Sequence, residues 1–425
     1  MRGAWVLLAV AACFRPSYER TACSSSGECP AGLVCMAALC EPAVDDARAA
    51  DAVADDGAVV DGAMRDGASS SDGPIACWQL DGGSMAVPLS ACPSVVVGRI
   101  DVVADVSIDT TTGVSTTPGI SCALISDGPD EICALSAGAI TVAAGVKLSA
   151  HGTRPLALLA HDINVQGTID VASHLGQAPG AGTTIDGCNP GRLADLSGGG
   201  GGGGFAVGGG AGGDQGTKAR TGAAGGSTIA VVSLRGGCPG TGGGGGGTSG
   251  DPRGTGGAGG GALWLSVDTG TLTLGDAAAI NASGAGGSGG ATPRRGGSGG
   301  GSGGLIVLQA KTIVRATSTS LIFAGGGGGG GGAVTDTAGN PGHDPTSPTA
   351  FGAGGIGGAG TQTSQSGNGG SGAPASVLTG VEGADISTGG GGGGGGGATG
   401  LIWIASGSIV GTTNIVPAPI VIGPS

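Results

Sequence analysis

Apolar positions in this chain fall into short runs and not along a helical stripe. Ser94 to Asp109 reads Ser-Val-Val-Val-Gly-Arg-Ile-Asp-Val-Val-Ala-Asp-Val-Ser-Ile-Asp. Ile140 to Ala172 continues with Thr141-Val142, Val146-Lys147-Leu148, Leu156 to Leu159 and Ile163-Asn164-Val165-Gln166-Gly167-Thr168-Ile169-Asp170-Val171. β-Branched runs of this length, punctuated by Gly, predict strands and turns. No stretch combines a helical period with good helix formers, so helices are not expected.

One phrase recurs. Leu156-Ala157-Leu158-Leu159-Ala160 is followed by Ile163-Asn164-Val165 and Gly167-Thr168-Ile169. Ala262-Leu263-Trp264-Leu265-Ser266 is followed by Leu272-Thr273-Leu274 and Ile280-Asn281-Ala282. Leu305-Ile306-Val307-Leu308-Gln309 is followed by Ile313-Val314 and Leu321-Ile322-Phe323-Ala324. Leu401-Ile402-Trp403-Ile404-Ala405 is followed by Ile409-Val410 and Ile415-Val416. Ser227 to Leu234 reads as a degenerate further copy. A strand–turn–strand unit cannot bury its apolar face alone, so the copies must stack. The expected fold of residues 76–425 is all-β, a right-handed parallel β-helix (solenoid) with long poly-Gly excursions. Its strands would add at about 4.8 Å per rung. The architecture resembles the β-helical stalks of bacterial adhesins and pectate-lyase-like proteins. Irregular spacing between copies leaves a β-sandwich or barrel as the alternative.

Within the phrases the apolar residues do not alternate. If Leu158, Trp264, Val307 and Trp403 point inward, then Leu159, Leu265, Leu308 and Ile404 point outward. A strand apolar on both faces is buried on both faces, so Leu265, Leu308 and Ile404 need a cover. The available material is glycine: Gly198–Gly204, Gly242–Gly247, Gly325–Gly332 and Gly389–Gly397 are uninterrupted runs. Such runs can form bundled polyproline-II-like strands, whose lack of side chains allows close packing and mutual hydrogen bonds. The other reading is flexible loops.

Composition narrows the class. Gly supplies 103 of 425 residues, charged residues are 11% and aromatics 2%, against about 25% charged and about 7% Gly in an ordinary domain. Collagen needs Gly at every third position, whereas Gly here comes in blocks. A hydrophobic share of 39% is too high for a typical disordered chain. The formal charge is −13, and Lys occurs only at Lys147, Lys218 and Lys311. No basic field exists to attract phosphates, so nucleic acid is not an expected partner.

The first residues predict export. Met1-Arg2 precedes a short apolar run, Gly3 to Ala12, and then Cys13. The run is too short to cross a bilayer and suits a secretory segment. Val10-Ala11-Ala12-Cys13 resembles a bacterial lipobox, which implies a signal peptide over 1–12, lipidation of Cys13 and an anchor in the outer membrane. Phe14 stands where such lipoproteins carry Asp for inner-membrane retention. With Cys13 set aside, ten cysteines remain: Cys23, Cys29, Cys35, Cys40, Cys77, Cys92, Cys122, Cys133, Cys188 and Cys238. An even number in an exported chain reads as disulfides. Neighbour pairing predicts Cys77–Cys92, Cys122–Cys133 and Cys188–Cys238. Cys23 to Cys40 packs four cysteines into a module (13–40) with no room for a core, and its connectivity stays open. The wording Cys29-Pro30-Ala31-Gly32-Leu33-Val34-Cys35 resembles small Cys-rich modules of myxobacterial surface lipoproteins. Residues 41–75, rich in Ala and Asp, read as an extended acidic linker. The Gly blocks also resemble the glycine-rich surface proteins of mycobacteria, in composition alone, since their Pro-Glu leader is missing.

Chemical signatures are few. Gly286-Gly287-Ser288-Gly289-Gly290 fits a nucleophile-elbow pattern, but in so Gly-rich a chain such matches carry no weight. No cofactor or metal site is expected: no CxxC occurs, and the four His are too few for zinc spacing. The best cluster is Asp162, Asp170, Asp186 and Asp195 with His161 and His174, which turn chemistry explains more simply than catalysis. The sequence thus predicts a non-enzymatic, exported surface lipoprotein with a structural or adhesive role. Cell-surface polysaccharide or other surface proteins are its expected partners. A carbohydrate-binding or carbohydrate-active β-helix is the alternative.

Overall fold

A computed structural model of the chain describes residues 33–36, 39–42, 78–80 and 89–422, with gaps at 128–129, 190–192, 217–220, 246–253, 317–318, 348–349, 351, 356, 358–365, 374–376, 388 and 412–413. Two units divide at residue 71. In the first, β1 (Leu33–Met36) and β2 (Leu39–Pro42) form an antiparallel hairpin with Cys35 opposite Cys40. Cys13, Cys23, Cys29, Cys77 and the expected signal peptide lie outside the described residues, as does the linker beyond Pro42.

The second unit is all-β, with no helix among the described residues. A short antiparallel pair, β3 (Trp78–Leu80) and β4 (Leu89–Ala91), comes first. There follow β5 (Val97–Val102), β6 (Val106–Asp109), β7 (Val114–Ser115), β8 (Ala123–Asp127) and β9 (Asp130–Val142). Next come β10 (Lys147–His151), β11 (Leu156–Val165), β12 (Thr168–Asp170), β13 (Ala262–Val267), β14 (Thr271–Leu274) and β15 (Ala279–Asn281). The last are β16 (Leu305–Arg315), β17 (Leu321–Phe323), β18 (Leu401–Val410), β19 (Asn414–Val416) and β20 (Ile420–Ile422). They build two sheets, one in the order β20-β18-β16-β13-β11-β9-β5, the other β19-β17-β15-β12-β10-β6-β7. Pairing is parallel throughout except where β7 and β8 fold back antiparallel on β6 and β9.

Register explains the recurring phrase. Leu158, Leu265, Leu308 and Ile404 stand in one column across four strands. They belong to the core between the two sheets, with Leu148, Ile169, Ile280 and Ile322 of the second sheet. Ala157, Trp264, Val307 and Trp403 form the adjacent column. They face the other way, into a second cluster with Leu159, Phe205, Val231 and Leu234. This corrects the sequence reading on two points. Leu158 pairs with Leu265 and not with Trp264, and the leucine column is the inner one. For Trp264 the outer face supplies the acceptor that a buried indole N–H needs, whereas Trp403 in the same column makes no such bond among the described residues. Trp264 Nε1 finds Gln309 Oε1 at 3.2 Å on the outer face, where Ser266 Oγ also donates to it at 3.0 Å. The expectation that both faces are buried holds, since all six residues of β13 are buried.

Glycine does not lie over the leucines. It continues the rungs lengthwise, for Gly296–Gly304 with its two serines runs into β16, and 324–333 leaves β17. The segment 391–400 shows how these strands are held. Gly391, Gly394, Gly397 and Gly400 donate to the carbonyls of Ala333, Gly330, Gly327 and Ala324. Gly392, Gly395 and Ala398 donate to Ser197, Gly200 and Gly203, and Gly393, Gly396 and Thr399 to Ala384, Val381 and Leu378. Donation rotates among three neighbours with a period of three residues, which is the symmetry of a polyproline-II strand. Successive amides are satisfied by different strands, so the array is a bundle and not a sheet. A Cβ on Gly394, Gly395 or Gly396 would overlap the carbonyl oxygen of Ser298, Gly210 or Ser371. Peripheral strands need glycine less often. In 377–387, Gly380 and Gly383 face inward against Gly396 and Gly393, while Val381, Glu382, Ala384 and Asp385 are exposed.

Two disulfides fasten the unit. Cys122 joins Cys133 (Cα–Cα 5.2 Å) and Cys188 joins Cys238 (5.7 Å). Cys92 is disulfide-bonded as well.

Candidate functional site

On the second sheet, inward Ile and Leu alternate with outward polar residues. Ser107, Ser149 and Asp170 are register neighbours on β6, β10 and β12, spaced one strand apart, about 4.8 Å each. Lys147 and His151 flank Ser149 on the same face of β10. The chain after β12 turns back beside them and brings His174. These side chains line a groove of about 220 Å³.

His174 is the most constrained polar group in it. Its Nε2 lies 3.1 Å from Asp170 Oδ2 and its Nδ1 3.5 Å from Asp344 Oδ2. Hydrogen bonding to Asp170, then to Asp344, raises its pKa to about 9 against the opposing cost of burial. Burial would raise the carboxyl of Asp344, but His174 and the backbone N–H groups of Gly286 and Leu175 hold it below the usual range. Those amides donate to Asp344 at 2.8 and 3.0 Å. Asp170, only 9% exposed, also faces Lys147 Nζ at 3.9 Å and accepts from the amide of Ala172 at 3.2 Å. An imidazolium held between two carboxylates is a clamp, because neither nitrogen is free to take a proton at neutral pH.

The sequence cluster is otherwise dispersed. His161 Nδ1 pairs with Asp268 at 2.7 Å. Asp162 Oδ1 accepts from the amide of Thr271 at 3.0 Å, shaping the turn before β14. Asp195 Oδ2 accepts from Thr221 Oγ1 at 2.9 Å. Asp186 lines a separate groove of about 550 Å³ with Glu131, Arg154 and Arg235. There Arg154 Nε is bound to Glu131 at 2.7 Å, and Arg235 Nη2 points at Cys188 Sγ from 3.2 Å. Asp344, the residue that completes the His174 clamp, was not singled out in the sequence. It sits in Gly-Asn-Pro-Gly-His-Asp-Pro (339–345), and only the fold brings that turn to β12.

One hydroxyl–imidazole contact is present in the groove, Ser107 Oγ to His151 Nδ1 at 3.4 Å. The nearby Asp109 carboxylate is engaged elsewhere. It accepts from the amide of Thr111 at 2.8 Å and from Thr112 Oγ1 at 3.0 Å, bonds that keep its pKa low. Among the described residues no group of three or more His, Cys, Asp or Glu is arranged to hold a metal ion. The groove therefore offers hydroxyls, one carboxylate, one ammonium and one imidazole to a small polar ligand. No protein family, curated protein or solved structure matches this chain.

Proposed function

We propose that the chain is a non-enzymatic surface lipoprotein with a structural or adhesive role, anchored through Cys13 in the outer membrane. Its 76–425 domain is read as a right-handed parallel β-helix braced by glycine strands. The solenoid reading rests on the order of visits: β9 to β10, β11 to β12, β16 to β17 and β18 to β19 each pass from the first sheet to the second in the same register. The observation that carries the function is the glycine bundle. Strands without side chains hold shape and offer no chemistry, and His174, the best catalytic candidate, is locked into an ion-pair clamp. Expression of the full chain in a Gram-negative host tests the reading. Palmitate labelling, membrane fractionation and adhesion of whole cells to surfaces should all fall with Cys13→Ser. Unlabelled wild-type protein, or cells whose adhesion is indifferent to the protein, would defeat it.

One observation favours the carbohydrate-binding reading. The row Ser107, Ser149 and Asp170 beside Lys147 and His151 presents alternating donors and acceptors of the kind that vicinal hydroxyls match. A glycan array with wild type and Lys147→Ala decides it: loss of a specific glycan signal in the variant supports this reading, and an array without signal removes it.

A further inference from the structure

Strand β5 ends the first sheet, and among the described residues nothing pairs with its outer edge. Its inner edge lies parallel to β9, with Ile100 opposite Ile140 and Val102 opposite Val142. The amide of Ala143 donates to the Val102 carbonyl at 3.0 Å, so Val102 turns its backbone groups toward β9. Direction alternates along a strand. Val97, Arg99, Asp101 and Val103 therefore aim their N–H and C=O groups at open space. Their side chains are exposed too: 45% for Val97, 74% for Val103, and 60% and 43% for the side chains of Arg99 and Asp101.

This edge is self-complementary. Only the outward-facing residues can exchange hydrogen bonds with a second strand, so an antiparallel copy of β5 has three central registers. Centring on Arg99 sets Arg99 against itself, and centring on Asp101 sets Asp101 against itself. Centring on Ile100 sets Arg99 opposite Asp101 and Val97 opposite Val103, each twice. Like charges directly opposite are destabilising and unlike charges stabilising, so the charges select the last register. An exposed edge is ordinarily blunted by charge against indiscriminate pairing. Here the charge pair rejects all central registers but one.

We propose that β5 is a homodimerisation edge: two copies of this chain pair antiparallel about Ile100 and join their first sheets into one. The symmetry is a closed two-fold, so association stops at two. In the single copy Arg99 Nε rests on Asp101 at 2.7 Å, with Nη2 on Thr141 Oγ1 at 3.2 Å. On pairing, Arg99 exchanges its own Asp101 for that of the other copy.

Sedimentation equilibrium of the full chain is the test. Wild type should show a concentration-dependent dimer. Arg99→Asp and Asp101→Arg should each weaken it about tenfold or more, because each sets like charges opposite. A one-to-one mixture of the two variants should restore dimer to near the wild-type constant, since every substituted position then faces its opposite charge. Both sites are exposed, so unchanged melting temperatures are expected, and Arg99→Gln provides a milder loss of the pair. A wild type that stays single at about 100 µM, a dimer indifferent to both charge reversals, or a mixture that fails to re-pair would each overturn the proposal.

Discussion

Between Gly296 and Ala333 the chain passes through two kinds of interior. In β16 and β17, packing is done by Ile306, Leu308, Ile313 and Ile322, all at 1% exposure or less. In the flanking glycine strands it is done by the absence of side chains, which lets backbones approach until a Cβ would overlap a neighbouring carbonyl. The sheets gain from apolar burial, about 1.5–3 kcal/mol for a large aliphatic side chain. The glycine bundle has no such term. Fixing each Gly costs about 1–2 kcal/mol of backbone entropy, offset by satisfied amides and dispersion between close-packed backbones. The two interiors should therefore fail differently. A side chain removed from the sheets leaves a cavity, and one added to the bundle forces strands apart.

The largest effect should come from adding a side chain. Gly394→Val places branched carbon against Ser298 O and its neighbours, where nothing flexible can yield. Destabilisation above about 4 kcal/mol is expected, within the range reserved for overpacking with backbone disruption. Chemical denaturation of the purified chain measures it. Native-state hydrogen exchange gives the companion test, since the amides of 325–332 should be protected as well as those of β16. Exchange within seconds would mean that the bundle contributes no cooperative structure.

Next is the tie that holds the bundle to the rungs. Cys238 is 3% exposed, and its amide donates to Ser302 Oγ at 2.8 Å inside the glycine array. Breaking Cys188–Cys238, which closes a 50-residue separation, should cost about 4 kcal/mol in the loop-entropy account. Cys188→Ser with Cys238→Ser in one chain is the variant to melt. On the sheet side, Leu265→Ala should cost about 2–5 kcal/mol by cavity formation in the inner core. If Leu265 instead faced outward, as the phrase alone suggested, the loss would be closer to that of a partly covered surface position.

How much was legible follows from what repeats. The β-branched phrases announced parallel strands in register, because like residues stack on like residues when rungs repeat. The absence of alternation announced two buried faces. The sequence did not tell which face was which, since Trp264 and Leu265 are equally apolar and the acceptor that the Trp264 indole finds, Gln309, lies a strand away. Glycine runs announced an unusual backbone, but the threefold rotation of hydrogen bonds depends on which distant strands meet. The same limit hid Asp344: a carboxylate in a turn becomes part of a site only when the fold delivers it to His174.

That clamp joins the two regions, for Asp344 also binds the amide of Gly286 in the bundle, and it predicts a pH dependence. The folded pKa of His174, about 9, lies above its unfolded value of 6.5. The stabilisation is complete below pH 6.5 and is lost as pH rises through 9. Asp170 and Asp344 are the charged groups that contact it, and Lys147 in turn faces Asp170. With the side chain 30% exposed, a loss of about 2 kcal/mol between those limits is expected after screening. His174→Gln should flatten that part of the stability profile.

The smallest effects would sharpen the comparison most. Gly325 begins the run 325–332, yet the atoms nearest to a Cβ there would be those of the Pro345 ring, at 3.3 and 3.4 Å, and Ser283 Oγ at 3.8 Å. Gly98, in strand β5, has nothing within 4 Å and no left-handed backbone. At Gly98, Ala removes unfolded-state freedom without a clash, so stability should change by about 0.5 kcal/mol or less, if anything upward. At Gly325 the ring must give by a few tenths of an ångström, and a cost of about 1 kcal/mol is expected. Gly329→Ala, four residues further into the same run, meets the carbonyl of Gly394 instead and should cost several times more. Equal losses at Gly325 and Gly329 would mean that glycine is needed there for its backbone conformation. A steep rise from Gly98 through Gly325 to Gly329 would mean that it is needed for proximity, as the carbonyl contacts require.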